Sequence, residues 1–306
     1  MILVTGGLGM IGAHTARALT DLGQEVVVTA HSRSEVPSFL ADRVTVETLD
    51  VTDRDAFGSL ASRHDISDII HLAGSIPGED PVRFFRTDMT GLLNALDAAR
   101  SWGVRRFAVA SSLGVYIGRS EIAWHEELAL PTADLPHLII AFKKAVEPLT
   151  THSLHGSGVQ PVVLRIGTIW GPLVDPESPF FHLPPYISAV LRGEEPPPLY
   201  ADDGGDRCYA PDAGRAIALL MTAGTLRYDT YNVSSGQPAS NREFVEALRA
   251  VVPGPKLTLL PGRQNGPGED PYLDITRLTG DTGFRPAFDA ASAVTDYVAW
   301  RGGNAR

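Results

Sequence analysis

Three glycines at intervals of three residues, Gly6, Gly9 and Gly12, stand near the start of a chain of 306 residues, between the apolar run Ile2-Leu3-Val4 and a helical pattern over 13–22. Strand, glycine turn and helix in that order make a cradle for a pyrophosphate. Gly6 permits the tight turn, Gly9 lets the backbone approach the phosphates, and Gly12 allows close packing of helix on strand, while the helix N-terminus offers amides to the negative charge. Thr5, Gly6, Gly9, Met10, Ile11 and Gly12 are therefore expected to touch a dinucleotide.

A second strand, 25–29, ends in Ala30-His31-Ser32-Arg33, with no carboxylate where an NAD-binding protein would offer one to the ribose 2'-hydroxyl. Ala30 removes repulsion toward a 2'-phosphate, and Arg33 with His31 supplies positive charge, so NADP(H) is the expected preference and NAD(H) the alternative. Asp50 and Val51 close a third strand, where a carboxylate and the next amide are placed to meet adenine. Leu72, Ala73 and Gly74, after His71, close a fourth beside the phosphates and ribose.

The elements that must position these residues alternate. Strands over 44–49, 66–72, 106–111 and 160–165 are separated by amphipathic helices, the pattern of an α/β fold with a Rossmann-type, doubly wound parallel sheet. Residues 1–170 are expected to form the dinucleotide-binding domain, and 171–306 a smaller substrate-binding lobe with some segments returning to the sheet. A hydrophobic content of 43% suffices for a full core, and a net charge of -10 with no basic cluster argues against nucleic acid as partner. The single cysteine, Cys208, leaves no internal disulfide, and no cysteine and histidine spacing suggests a metal. No apolar run approaches a membrane span, so a cytoplasmic protein is expected.

Motif after motif, in order, the chain resembles the extended short-chain dehydrogenase/reductases, the epimerase and dehydratase-like group. The resemblance is carried by the Thr5 to Gly12 turn, Asp50-Val51, His71 to Gly74, Asp88 to Asn94, Ser111-Ser112-Leu113-Gly114-Val115-Tyr116, Arg165 to Pro172, Asp206-Arg207 with Asp212, and Tyr231-Asn232-Val233. It implies that Ser112 orients a substrate carbonyl, that Lys143 binds the nicotinamide ribose, and that Ile166 lies at the cofactor. Three positions depart from the family pattern. Ile139 replaces the tyrosine of Tyr-x-x-x-Lys, Asp88 an asparagine, and Thr168 the asparagine of Asn-x-Tyr-Gly-Pro. A hydrocarbon cannot relay a proton. Within the family the chain is most similar to tyrosine-lacking ketoreductases of polycyclic, angucyclinone-like aromatic polyketides from antibiotic biosynthesis. This implies reduction of a bulky aromatic ketone that is already polarised, with water or Ser112 completing proton transfer.

Ser75, Ser112, Tyr116, Ile139, Thr168, Phe181 and Tyr186 are expected to line the substrate cavity, with Phe180, Leu183 and Ile187 adding to an apolar wall. Proline-rich 175–185 and 194–198 read as loops, and helices are expected over 212–221, 241–251 and 290–300. Tyr116 and His137 are weaker candidates for the missing acid. Two alternatives stand beside the ketoreductase: a sugar-nucleotide enzyme with relocated catalytic groups, for which Arg207 and Arg263 could clamp a diphosphate, and a non-catalytic NADP(H) sensor. A monomer or a homodimer paired through helices over 83–100 and 138–155 fits the resemblance.

Overall fold

Unbroken runs of branched aliphatic residues, such as Ile2-Leu3-Val4 and Val26-Val27-Val28, are buried on both faces, as parallel strands covered by helices must be. The computed structural model describes residues 1–31, 35–133, 135–178 and 181–306. Its main sheet has seven strands: β1 (Ile2–Thr5), β2 (Val26–Ala30), β3 (Thr45–Thr48), β4 (Asp68–His71), β5 (Arg106–Ser112), β6 (Gln160–Ile166) and β7 (Thr230–Val233). They lie in the order β3-β2-β1-β4-β5-β6-β7, all parallel. All seven carboxyl ends therefore share one edge, and the order reverses between β1 and β4, where ligands of open α/β sheets gather.

Nine α-helices are described: α1 (Met10–Asp21), α2 (Arg54–Ser59), α3 (Pro81–Trp102), α4 (Leu138–Leu154), α5 (Leu183–Leu191), α6 (Ala210–Thr222), α7 (Asn241–Val251), α8 (Thr276–Thr282) and α9 (Ala290–Arg301). The expected loop over 175–185 gives way to α5 at Leu183, because Pro184 and Pro185 fall in a first turn, where a missing N–H costs nothing. α6 packs on α1 through Gly214, where a Cβ would sit 2.3 Å from the carbonyl carbon of His14. Arg106 holds the C-terminal end of α6, its Nη1 donating to the carbonyls of Leu220 at 3.1 Å and Ala223 at 2.6 Å. A separate apolar cluster of Trp170, Tyr186, Ile187, Phe244 and Tyr297 packs α5, α7 and α9 together. No described helix is long and apolar enough to cross a membrane, and among the described residues no group of three or more His, Cys, Asp or Glu is placed to hold a metal ion.

α4 lies against β5 and β6 and is locked there by a buried ion pair. Arg165 on β6 donates to both carboxylate oxygens of Glu147, at 3.0 and 2.8 Å, and to the Tyr116 hydroxyl and the Glu126 carbonyl, while the Ser111 hydroxyl donates to Glu147 at 2.5 Å. Removing one partner would strand the other charge away from water. Arg165→Met is expected to destabilise the protein by about 3–5 kcal/mol in urea denaturation; a loss under about 1 kcal/mol would mean that Glu147 is not dependent on this partner.

Candidate active site

At the switch point the chain turns from β1 into α1 with Gly6 at φ 66°, and a Cβ there would meet the Ala73 backbone at 3.0 Å. Gly12 is tighter still, since its Cβ would lie 2.4 Å from the Gly6 carbonyl oxygen. Gly9 occupies the N-cap of α1, and no side chain caps the helix or adds negative charge to its first turn. With Met10 and Ile11 half-buried beside it, this end of α1 presents amides to an anion with nothing competing for them. The residues fit a dinucleotide pyrophosphate.

Thr5 faces His71 across the β1–β4 register, and its Oγ1 lies 2.9 Å from His71 Nδ1 while accepting the Ala73 amide at 3.2 Å. Burial, with the nearby Lys143 charge adding to it, pushes His71 down to about 3, so the ring is neutral at ordinary pH. Leu72, Ala73 and Gly74 continue from it along the edge of the cradle. Farther out, Asp50 accepts from the hydroxyl and amide of Thr52, at 2.7 and 2.9 Å, which holds its carboxyl below the usual range. Its other oxygen lies 3.8 Å from His31 Nε2, and the Val51 carbonyl accepts from Asn94 at 3.0 Å. Arg33 lies outside the described residues.

Beyond β4, Ser112 ends β5 with its Oγ accepting the Gly114 amide at 3.1 Å, which leaves the O–H to donate elsewhere. Ile166 is its buried register partner on β6. Lys143 extends from α4 to donate to the Ala110 carbonyl at 2.8 Å, and burial pushes its ammonium down to about 8 against the opposing pull of Asp88. Asp88 on α3 meanwhile accepts from Ser75, hydroxyl at 2.6 Å and amide at 3.1 Å, and so holds the start of the loop after Gly74. Ile139, one turn before Lys143, packs with Leu138 against the core cluster of Phe142 and Val146. His137 caps α4 by accepting the Ile139 amide at 3.2 Å, a structural task in place of the acid role weighed for it.

Two expected substrate contacts are corrected. Tyr116 has no exposed surface; its hydroxyl donates to Asn232 at 2.9 Å and accepts from Arg165 at 2.8 Å, and burial raises it to about 12, so it is neither an acid nor a cavity residue. Tyr186 is packed into the core with Leu183 and Ile187 rather than set in an open wall. Thr168 remains half-buried just past the β6 end, its amide held by Asp206 at 3.2 Å. Phe181 is half-buried with its ring edge-on to His182, and Phe180 lies outside the described residues. Sequence reasoning passed over the double role of Asp88, which no local pattern announces because Ser75 bonds to it from one segment while its charge acts on Lys143 of another.

The family described as NAD dependent epimerase/dehydratase matches residues 2–234. The chain is 27% identical to a dTDP-glucose 4,6-dehydratase of Actinoplanes sp., over 98% of this chain and 97% of that protein, and 26% identical to a UDP-glucose 4-epimerase of Erwinia amylovora, over 99% and 98%. Among solved structures, UDP-glucose 4-epimerase of Thermus thermophilus in complex with NAD superposes with a TM-score of 0.79 at 28% identity, covering 99% of both chains. The Thermotoga maritima UDP-glucose 4-epimerase shares the fold, with a TM-score of 0.82 at 24% identity over 100% of this chain and 99% of that one. These relatives overturn the expectation of a polycyclic aromatic polyketide as substrate, which rested on the missing phenol, the resemblance it suggested and an apolar wall, and they favour the sugar-nucleotide alternative.

The folded protein keeps His71 neutral down to about pH 3, whereas the unfolded chain protonates it near its ordinary 6.5. Acid therefore favours the unfolded chain across that interval, at up to about 1.4 kcal/mol per pH unit. His14, pushed to about 4 by burial, acts in the same direction. Urea denaturation at pH 7 and pH 5 should show a smaller acid loss in His71→Asn than in the parent; equal losses would mean that His71 charges freely in the fold.

Proposed function

We propose, because the chain belongs to the NAD dependent epimerase/dehydratase family, that it is an NAD(P)-dependent oxidoreductase-type enzyme reducing a keto sugar carried on a nucleoside diphosphate. Arg207 carries this reading. Its side chain is only 6% exposed, yet Nη1 has no hydrogen-bond partner, while Nη2 donates to Asn241 at 2.6 Å. The guanidinium lies 4.9 Å from the centre of the Phe244 ring and 5.9 Å from that of Phe181, and although burial lowers it to about 10 it is still a cation at neutral pH. A buried N–H without an acceptor is costly, and a diphosphate oxygen is the acceptor that a guanidinium meets best. Arg263, paired with Asp270 at 2.8 Å, belongs to the same neighbourhood, since Asp270 also acts on the Arg207 charge.

In this reading 1–170 carry the dinucleotide, and 171–306 carry most of the substrate contacts apart from the segments that return to the sheet. The glycine turn and the first turn of α1 hold the pyrophosphate, and Asp50 and Val51 take the adenine end. Leu72, Ala73, Gly74 and Ile166 flank the ribose and nicotinamide. When bound, the cofactor supplies the hydride. Ser112 orients the sugar carbonyl through its free O–H. Ile139 gives no base to start oxidation of an alcohol, which favours reduction of a ketone already present. The absence of a carboxylate at Ala30 and His31 supports a preference for NADP(H), although the Thermus relative holds NAD.

Titration calorimetry with UDP-glucose and dTDP-glucose tests the substrate class. Arg207→Met is expected to weaken binding of the nucleotide sugar about 10- to 100-fold and leave NADH binding unchanged. A protein that binds NADH but no nucleoside diphosphate sugar would sink the proposal. Dissociation constants for NADPH and NADH decide the cofactor preference, and tighter NADH binding reverses it.

A further inference from the structure

A reduction needs a proton as well as a hydride, and Ile139 supplies none. Around the carboxyl end of β5 the Ser111 hydroxyl is spent on Glu147, which among the described side chains there leaves Ser112 and Lys143 as protic groups. Ser112 already accepts from Gly114, and Lys143 spends one of its three N–H bonds on Ala110, two residues before Ser112 on the same strand. Ammonium and hydroxyl are thereby anchored at neighbouring points of one strand end. The rotation of α4 that brings Lys143 there is fixed one turn later by the Glu147–Arg165 pair.

Among the described residues the charged and titratable groups acting on Lys143 come from two elements, Asp88 on α3 and His71 on β4. His71 is held neutral, and from α4 itself Lys144 donates to the Pro131 carbonyl while Glu147 is committed to Arg165. Among the described residues Asp88 is thus the one carboxylate that bears on the ammonium. Ser75 holds it through its hydroxyl and amide.

We propose that Lys143 itself donates the proton a phenol would otherwise supply, with Asp88 as the positioning residue that keeps it charged for that step. The inference rests on the keto-sugar reading above. The carbonyl carbon takes hydride from a reduced nicotinamide, the carbonyl oxygen takes a proton as one Lys143 N–H bond breaks, and the neutral amine regains its proton from water. An ammonium pushed down to about 8 by burial is a far better donor than an ordinary lysine while still charged at neutral pH.

The test reads Lys143 directly and through turnover. In NADPH-bound protein labelled with carbon-13 lysine, with the resonance assigned by its loss in Lys143→Arg, the Lys143 signal is expected to titrate near 8 and to move down in Asp88→Asn, because removing the carboxylate disfavours the ammonium. Reduction of a 4-keto sugar on deoxythymidine diphosphate should lose rate on the alkaline side with the same midpoint and shift with it in Asp88→Asn. Lys143→Arg keeps the charge but cannot release a proton at these pH values. Its rate is expected to fall about 100-fold and its alkaline limb to vanish. A Lys143 midpoint above about 10, or an alkaline limb that Lys143→Arg leaves in place, overturns the inference. If no keto sugar nucleotide is reduced although Lys143 titrates near 8, the substrate reading fails and the lysine assignment does not.

Discussion

Glu147 and Arg165 bind α4 to the middle of the sheet, and the chemistry of the strand ends depends on that pair. One turn before Glu147 stands Lys143, and one turn earlier Ile139. The orientation of α4 decides that the lysine reaches Ala110 while the isoleucine turns onto the core. Two full charges with little access to water are tolerable because every strong bond the site offers is made: Ser111 completes Glu147, and Tyr116 and the Glu126 carbonyl complete Arg165. The cost of this lock is that Tyr116, the phenol nearest in sequence to Ser112, is used up as a structural ligand.

From the lock outward, polar groups divide into those fully satisfied and those left with capacity. Thr5, His71, Asp50 and Asp88 are engaged by their neighbours. The first turn of α1, the Ser112 hydroxyl, two N–H bonds of Lys143 and Nη1 of Arg207 keep donors unspent. Each of these four groups can donate. A fold that keeps donors in hand along one edge is suited to ligands made of acceptors, namely phosphates, ribose oxygens and carbonyls.

Much of this could be read from the chain alone. The glycine spacing gave the cradle, and unbroken apolar runs gave the parallel strands, because burial on both faces leaves no room for alternation. The roles expected of Ser112 and Lys143 came from a resemblance rather than from pattern. Tyr116 misled because its place after Ser112 says nothing of direction, and its burial depends on Arg165 and Asn232, which arrive 49 and 116 residues later. Asp88 stood out only as a departure from an expected asparagine, and Arg207 only as a cation able to clamp a diphosphate. Their meaning lies in partners such as Ser75 and Asn241 that the fold, and no local spacing, brings to them. The substrate was misjudged because an absent phenol says how a proton does not move and nothing about which molecule carries the carbonyl.

The late entry of β7 has a consequence for synthesis of the chain. β6 is complete at Ile166, yet its outer neighbour begins at Thr230, more than sixty residues later. At translation rates of about 5–20 residues per second, β6 has emerged several seconds before the strand that covers its edge. During that time its apolar residues, Val162 to Leu164, present an unpaired edge to other nascent chains. The same crossover that lets the C-terminal segments reach back to the sheet thus makes production of the protein sensitive to crowding at the ribosome and to holding chaperones, independently of how stable the finished fold is.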